Sequence, residues 1–239
     1  MRLTLDHLII RSAEPQATLS ELSAKAGTPI LAEVEEVGGL ASGIVRAGAL
    51  DIEVLRIGNA PPPREQGYGL GFTADAPLGE ASAALRALGF PTSGAVGATA
   101  GGRSWRAVHI HGLLPDPFPV PVTTRPPKAM DRLSERLAGR LTRIPAIARA
   151  ATRKAGSSMV VVTEYDFDAA AWRAGAGRGP EVLAVEVGTG GGDWSELPLA
   201  PGPLQLQTDR LPGIIRVTLA GAREPFELGD VRFEFSSAA

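Results

Sequence analysis

The sequence predicts an α+β protein built from tandem βαβββ modules, which together form a curled, mostly antiparallel sheet barrel. Two observations carry this prediction. One order of elements, a strand, a helix and then three strands, occurs twice within residues 1–124 of the 239-residue chain. The 29 Gly and 20 Pro residues favour many turns between short elements.

The first module is predicted over residues 1–58. The apolar run LTLDHLII indicates a strand. The helix that follows has Ser12 as its predicted N-cap and Pro15 in its first turn, and it ends at Gly27. Three short strands complete the module, at residues 29–34, 42–47 and 50–57.

The second module is predicted over residues 67–124. The segment YGLGFTA indicates a strand, and PLGEASAALRALG indicates the helix. A weak strand at residues 90–95 precedes the two last strands, SWRAVHIHGLL and FPVPVTT. Because Pro119 and Pro121 cannot donate backbone hydrogen bonds, FPVPVTT is expected at a sheet edge.

A basic helical linker is predicted over residues 125–156. Its apolar residues recur at helical spacing, and Arg residues occupy its other faces. The basic side could be solvated, contact a membrane surface, or bind phosphate or nucleic acid. Residues 157–239, beginning with the strand MVVVTEYDF, are predicted to form a third, divergent βα/β-rich module. That module would cover a barrel end or pair with its copy in a homodimer.

Composition excludes several classes of protein. The absence of Cys excludes disulfide scaffolds, cysteine nucleophiles and iron–sulfur clusters. A formal net charge of −2 argues against a globally basic nucleic-acid binder. The N-terminal segment has Asp6 and His7 inside its apolar run, which is unlike a signal peptide, and no apolar run approaches the roughly 20 residues of a spanning helix. We therefore expect a cytoplasmic protein.

The doubled modules, with LDHLII at the first strand, resemble the glyoxalase-like branch of the vicinal oxygen chelate superfamily. GLGFTADAPLGEASAALRALGF and HGLLPDPF in the second module are also similar to glyoxalase-like sequences. The resemblance implies two modules facing each other around a cleft, with metal ligands on the first and last strands of each. It places His7 and Glu53 at the two ligand positions of the first module. It also implies a small-molecule ligand or substrate.

The second module departs from this pattern. Its first strand has no His, Glu or Gln, and FPVPVTT has no carboxylate. His109 and His111 share one face of a strand, so they could complete a site with His7 and Glu53 for Zn, Fe, Ni or Mn. Alternatively, His109 or His111 acts as a general base without a metal. His7 could also be an ordinary core histidine, and Glu53 a solvent-facing strand residue.

Trp105 and Arg106 precede the histidine pair and could line the cleft, where an aromatic wall beside a guanidinium would suit a planar acid. Alternatively, Trp105 makes ordinary packing contacts and Arg106 is solvated. Two functions therefore stay open. The first is a divalent-metal-dependent lyase, isomerase or dioxygenase acting on a small oxygenated substrate, and the second is a metal-free protein that sequesters a small molecule.

Overall fold

The computed structural model of the protein describes residues 1–37, 40–57, 62–114 and 159–237. Two βαβββ modules share one sheet. The first module comprises β1 (Leu3–Arg11), α1 (Pro15–Ala26), β2 (Ile30–Val37), β3 (Leu40–Ala47) and β4 (Leu50–Ile57). The second comprises β5 (Gln66–Ala74), α2 (Leu78–Ala87), β6 (Val96–Ala100), β7 (Arg103–His109) and β8 (Met159–Tyr165).

The eight strands follow the order β2-β3-β4-β1-β5-β8-β7-β6, so the two halves mirror each other about the central β1–β5 pair. The pairs β1–β4 and β5–β8 are parallel, and all other neighbours are antiparallel. The edge strands β2 and β6 approach within 8 Å at their Cα atoms, so the sheet is curled almost into a closed barrel. The predicted fold class is confirmed.

The last strand of the second module is not the one predicted. Met159–Tyr165, assigned above to the third module, pairs with both β5 and β7 in the large sheet. Residues 118–124 and the predicted basic helix at 125–156 lie outside the described residues. In sequence, the basic stretch therefore falls between β7 and β8, two strands that pair in the large sheet. In the first module the corresponding connection, from Ala47 to Leu50, is a tight turn.

A second, smaller sheet follows the short helix α3 (Ala169–Ala174). Its five strands have the order β10-β9-β11-β13-β12. They are β9 (Val182–Gly188), β10 (Leu204–Gln207), β11 (Gly213–Ala220), β12 (Phe226–Leu228) and β13 (Val231–Ser236).

The small sheet packs on the outer side of the large one. A Cβ on Gly67 of β5 would lie 2.2 Å from the carbonyl oxygen of Ile214 on β11, so the glycine permits this close approach. The Trp194 indole donates a hydrogen bond to the carbonyl of Leu113, at 3.0 Å. Apolar side chains from α1, α2 and both sheets form one continuous core.

Candidate functional site

A β-bulge in β1 sets the direction of its polar side chains. Leu5 pairs with Phe72 and His7 pairs with Gly71, so Asp6 is an extra residue with no partner on β5. The bulge shifts the alternation of the strand by one residue. Leu5 packs in the main core with the helices, whereas His7 faces the barrel interior, as Ile9 does. Simple strand alternation would place His7 on the face of Leu3 and Leu5, and the bulge between Leu5 and His7 breaks this alternation.

The structure brings His7 and Glu53 together. Glu53 pairs with Ile9 across the parallel β1–β4 ladder, and its Oε2 lies 3.9 Å from Nε2 of His7. The other oxygen of Glu53 accepts a hydrogen bond from the Ser42 hydroxyl. Both side chains are mostly buried, with exposed fractions of 11% for His7 and 18% for Glu53. Glu53 is thus not the solvent-facing strand residue of the alternative interpretation.

The His7 ring lies directly over Gly71. A Cβ at Gly71 would come within 2.0 Å of the imidazole Cε1, so any larger residue would have to displace the ring. On its other side, Nδ1 of His7 lies 2.9 Å from Oδ2 of Asp6. A carboxylate bonded to one ring nitrogen fixes the orientation of the imidazole and directs the other nitrogen toward the site.

Arg173, which lies on α3, joins this pair to a second carboxylate. Its guanidinium donates to Oδ1 of Asp6 and to Oδ2 of Asp51, each at 2.7 Å. Arg46 donates to the remaining oxygen of Asp51, at 2.7 Å. The Tyr165 hydroxyl donates to Oδ2 of Asp6, at 2.6 Å. Sequence analysis missed Asp6 and Arg173, although Asp51 shares a strand face with Glu53 and was a visible signal.

These groups form a chain of alternating charge, which we call the ionic chain. Its members, in order, are Glu53, His7, Asp6, Arg173, Asp51 and Arg46. Three carboxylates face two guanidiniums and one imidazole, so the chain is neutral when His7 is protonated. Because buried charges are costly unless they are paired, this balance accounts for their position inside the barrel.

The ionic chain shifts the pKa values of its members. Burial opposes the charged form of His7, but the hydrogen bond and charge of Asp6, with Glu53 and Asp51, raise the pKa of His7 above 6.5. Burial opposes ionisation of Asp6 as well, yet His7, Arg173 and Tyr165 hold the pKa of Asp6 well below its usual range. Burial, followed by the charge of Asp6, raises the pKa of Tyr165. The neighbouring carboxylates therefore stabilise the imidazolium form of His7.

Among its described residues, the second module has no equivalent polar set. A matching bulge occurs in β5, where Tyr68 is the extra residue between Gly67 and Gly69. Superposing the two bulges relates four polar positions of the first module to four uncharged positions of the second. Asp6, His7, Asp51 and Glu53 thus correspond to Tyr68, Gly69, Met159 and Val161. Tyr68 and Val161 pack with Ile9 and Leu55 of the first module in a separate apolar cluster, which therefore spans both modules.

His109 and His111 do not join His7. His109 pairs with Val161, which pairs with Gly71, the partner of His7. Two strands, β5 and β8, therefore lie between the histidines in the sheet. The rings of His109 and His111 contact each other edge to face, with centroids 4.5 Å apart. His111 also lines a separate cavity of about 260 Å³, beside Asp193 and Glu196.

Trp105 and Arg106 point to opposite faces of β7, as consecutive strand residues must. Trp105 pairs with Tyr165 of β8. The Arg106 guanidinium donates instead to Glu164, whose other oxygen accepts from the backbone N–H of Leu78 at the start of α2. The predicted wall of Trp105 beside Arg106 does not form, because Arg106 lies on the helix side of the sheet.

The residues present do not fit a resident divalent metal of the kind that the fold implies. Only His7 and Glu53 occupy ligand positions, and Gly69 and Val161 stand at the other two. Among the residues that the structure describes, no group of three or more His, Asp or Glu side chains could hold a metal ion. Arg173 and Arg46 already neutralise two nearby carboxylates, which removes the excess negative charge that attracts a cation.

A groove of about 540 Å³ opens beside the ionic chain, between the start of α2 and α3. Tyr165 lines this groove and also donates to Asp6, so it connects the groove to the buried site. Thr163, Phe167 and Pro77 line the groove as well. Its volume is typical of a small-molecule site. In the described part of the chain, no helix has the length and apolar character needed to cross a membrane.

Comparisons with known proteins support the fold. No family model matches the sequence, and no curated protein matches it. A hypothetical protein from Staphylococcus aureus aligns over 98% of this chain and 100% of its own, with a TM-score of 0.60 and 10% identity. This likeness includes the small sheet as well as the large one.

Two more distant structures are enzymes. Methylmalonyl-CoA epimerase from Streptomyces coelicolor covers 66% of this chain and 94% of its own, with a TM-score of 0.40 and 12% identity. The 2,3-dioxygenase LapB from Pseudomonas sp. KL28 covers 91% of this chain and 74% of its own, with a TM-score of 0.43 and 9% identity. At such scores nothing about the activity of this chain rests on either enzyme.

Proposed function

We propose that this chain, which has the glyoxalase-like fold of the vicinal oxygen chelate superfamily, binds a small molecule without the help of a metal ion. The ligand is held inside the eight-stranded sheet, between the ionic chain and the apolar cluster that includes Ile9 and Leu55. The observation that carries the proposal is the 3.9 Å separation of His7 Nε2 and Glu53 Oε2. This gap is too long for a direct hydrogen bond, and both atoms lie on the interior face of the sheet.

The gap suits an oxygen of a ligand. A hydroxyl group can accept a hydrogen bond from the imidazolium of His7 and donate one to Glu53 at the same time. The apolar cluster of Ile9, Leu55, Tyr68 and Val161 would contact the hydrocarbon part. We therefore infer a small ligand with a hydroxyl group at one end and an apolar group at the other.

A second candidate is the divalent-metal-dependent lyase, isomerase or dioxygenase. The contact between Asp6 and His7 favours it, because carboxylates commonly orient ligating histidines in this way. The uncharged residues Gly69 and Val161, at the two matching positions of the second module, oppose it. A catalytic role for His109 or His111, ligand contact through Trp105, a cytoplasmic location and a homodimer all stay predictions.

Ligand binding and metal binding can be tested on the same preparation. The full chain is purified without chelators, analysed for metals, and then screened by thermal shift against hydroxy acids, diols and catechols. We expect no stoichiometric metal and a rise in melting temperature with one of these classes. His7→Gln and Glu53→Gln should weaken that binding about 10- to 100-fold, because each removes one charged hydrogen bond.

Glu227→Gln is the matched control, because Glu227 is 69% exposed and lies on the small sheet. It should bind the ligand as the unmodified chain does. About one Zn, Fe, Ni or Mn per chain, lost in both His7→Gln and Glu53→Gln, would contradict metal independence and support the metalloenzyme.

A further inference from the structure

Arg173 occupies the space between two buried carboxylates from neighbouring strands. The side chains of Asp6 and Asp51 are 5% and 3% exposed, and each directs one oxygen at the guanidinium. Their other oxygens are already engaged, by His7 and Tyr165 at Asp6 and by Arg46 at Asp51. The two oxygens that face Arg173 therefore have a single cation as their shared partner.

We infer that Arg173 is a built-in cation, which fills a position where Asp6 and Asp51 would otherwise bind a divalent ion. A divalent ion at this position would have to come from solution. Here α3 supplies the cation covalently, from a short helix that directly follows the eight-stranded sheet. The position differs from the His7–Glu53 pair, since its donors are two carboxylate oxygens and no imidazole.

The chemistry of the two oxygens selects the ion. Carboxylate oxygens with room for water are ligands that suit Mn²⁺, Mg²⁺ and Ca²⁺ better than thiophilic metals. Removal of the guanidinium would leave two anionic oxygens that each lay 2.7 Å from it, facing the same vacated space. An ordinary structural ion pair predicts only lost stability on this change, whereas a built-in cation predicts that the variant gains a metal site.

The test uses Arg173→Met in the full chain, with Mn²⁺ as the probe. Mn²⁺ binding is followed by electron paramagnetic resonance, and the melting temperature is measured with and without the ion. We expect about one Mn²⁺ per chain in Arg173→Met and none in the unmodified chain up to about 1 mM. Mn²⁺ should raise the melting temperature of the variant alone. Asp6→Asn in the Arg173→Met background should abolish the binding.

Arg173→Lys is the matched control, because it keeps the positive charge and should not bind Mn²⁺. Stoichiometric Mn²⁺ in the unmodified chain, or none in folded Arg173→Met, would overturn the inference. If Arg173→Met is unfolded in metal-free buffer, recovery of its circular dichroism spectrum on adding Mn²⁺ supports the inference, and failure to recover overturns it. None of these readouts depends on a small-molecule ligand, so the proposed function can fail independently.

Discussion

Gly71 leaves the space that the His7 ring occupies. Gly71→Ala would place a methyl group 2.0 Å from the ring, and therefore must displace either the ring or the strand. We expect a loss of about 1–3 kcal/mol in the free energy of unfolding, typical of overpacking. Chemical denaturation measures this loss, and NMR of the His7 imidazole should show the ring displaced.

The matched control is Gly79→Ala. A Cβ at Gly79 meets nothing within 4 Å, and the residue lies inside α2. This substitution should stabilise the protein by about 0.5–1 kcal/mol, because alanine is the better helix former. Equal effects of the two substitutions would show that His7 does not depend on the missing side chain at Gly71.

For individual residues of the site, the sequence predicted the proximity of one pair only. His7 and Glu53 could be predicted as neighbours, because the family resemblance places them on the first and last strands of a module. Asp6 could not be placed, because the bulge that turns it inward arises from the pairing of β1 with β5, which no local pattern reveals. Arg173 is distant in sequence from both carboxylates, and its six-residue helix gives no sign of its partners.

The elements β1, β3, β4 and α3 are joined by the ionic chain, which makes their association dependent on pH. The raised pKa of His7 means that its contribution to stability is fully present below pH 6.5 and is lost as the pH rises through the folded-state value. The lowered pKa of Asp6 acts in the opposite direction. Its contribution is present above pH 3.8 and is lost on acidification through its lower folded-state value.

We therefore expect the free energy of unfolding to decline above pH 6.5, in measurements by urea denaturation at a series of pH values. His7→Gln should remove most of this decline. The control His111→Gln leaves the ionic chain intact and should keep it. An unchanged decline in His7→Gln would mean that another group is responsible.

Element prediction succeeded where a segment carried its own periodicity. The segment LTLDHLII forms most of β1, and PLGEASAALRALG contains α2, as expected. Assignment of β8 failed for a topological reason, since its partner β7 ends at His109 and β8 begins only at Met159. Residues 110–158 lie between these two strands. A prediction that assumes repeats of constant length places such an insertion between two modules instead of inside one.

The whole molecule combines a symmetric backbone with asymmetric chemistry. Both modules keep the strand order and the bulge, but the first module carries His7 and the carboxylates of the ionic chain, whereas the second has uncharged residues at the matching positions. The sequence showed part of this asymmetry, as the missing ligands of the second module. It could not show that two guanidiniums balance the carboxylates of the first, because that balance depends on long-range contacts.

The small sheet is part of the same folding unit as the barrel. Phe233 and Val217 of the small sheet belong to one continuous core with Leu70 and Phe72 of the barrel. The backbone of Leu3 also exchanges hydrogen bonds with Pro198 and Ala200, at 2.8 and 2.7 Å. Two sheets that share a core and backbone bonds should not unfold separately.

We therefore expect one unfolding transition for the whole described structure. Trp194 lies in the small-sheet segment, whereas Trp105 and Trp172 lie on β7 and α3, so tryptophan variants report on the two parts separately. In urea, the fluorescence of a chain that keeps only Trp194 should change with the same midpoint as that of Trp194→Phe. Val217→Ala should lower both midpoints together, because it creates a cavity in the shared core. Two separated midpoints, or a shift in one alone, would mean that the small sheet is an independent domain.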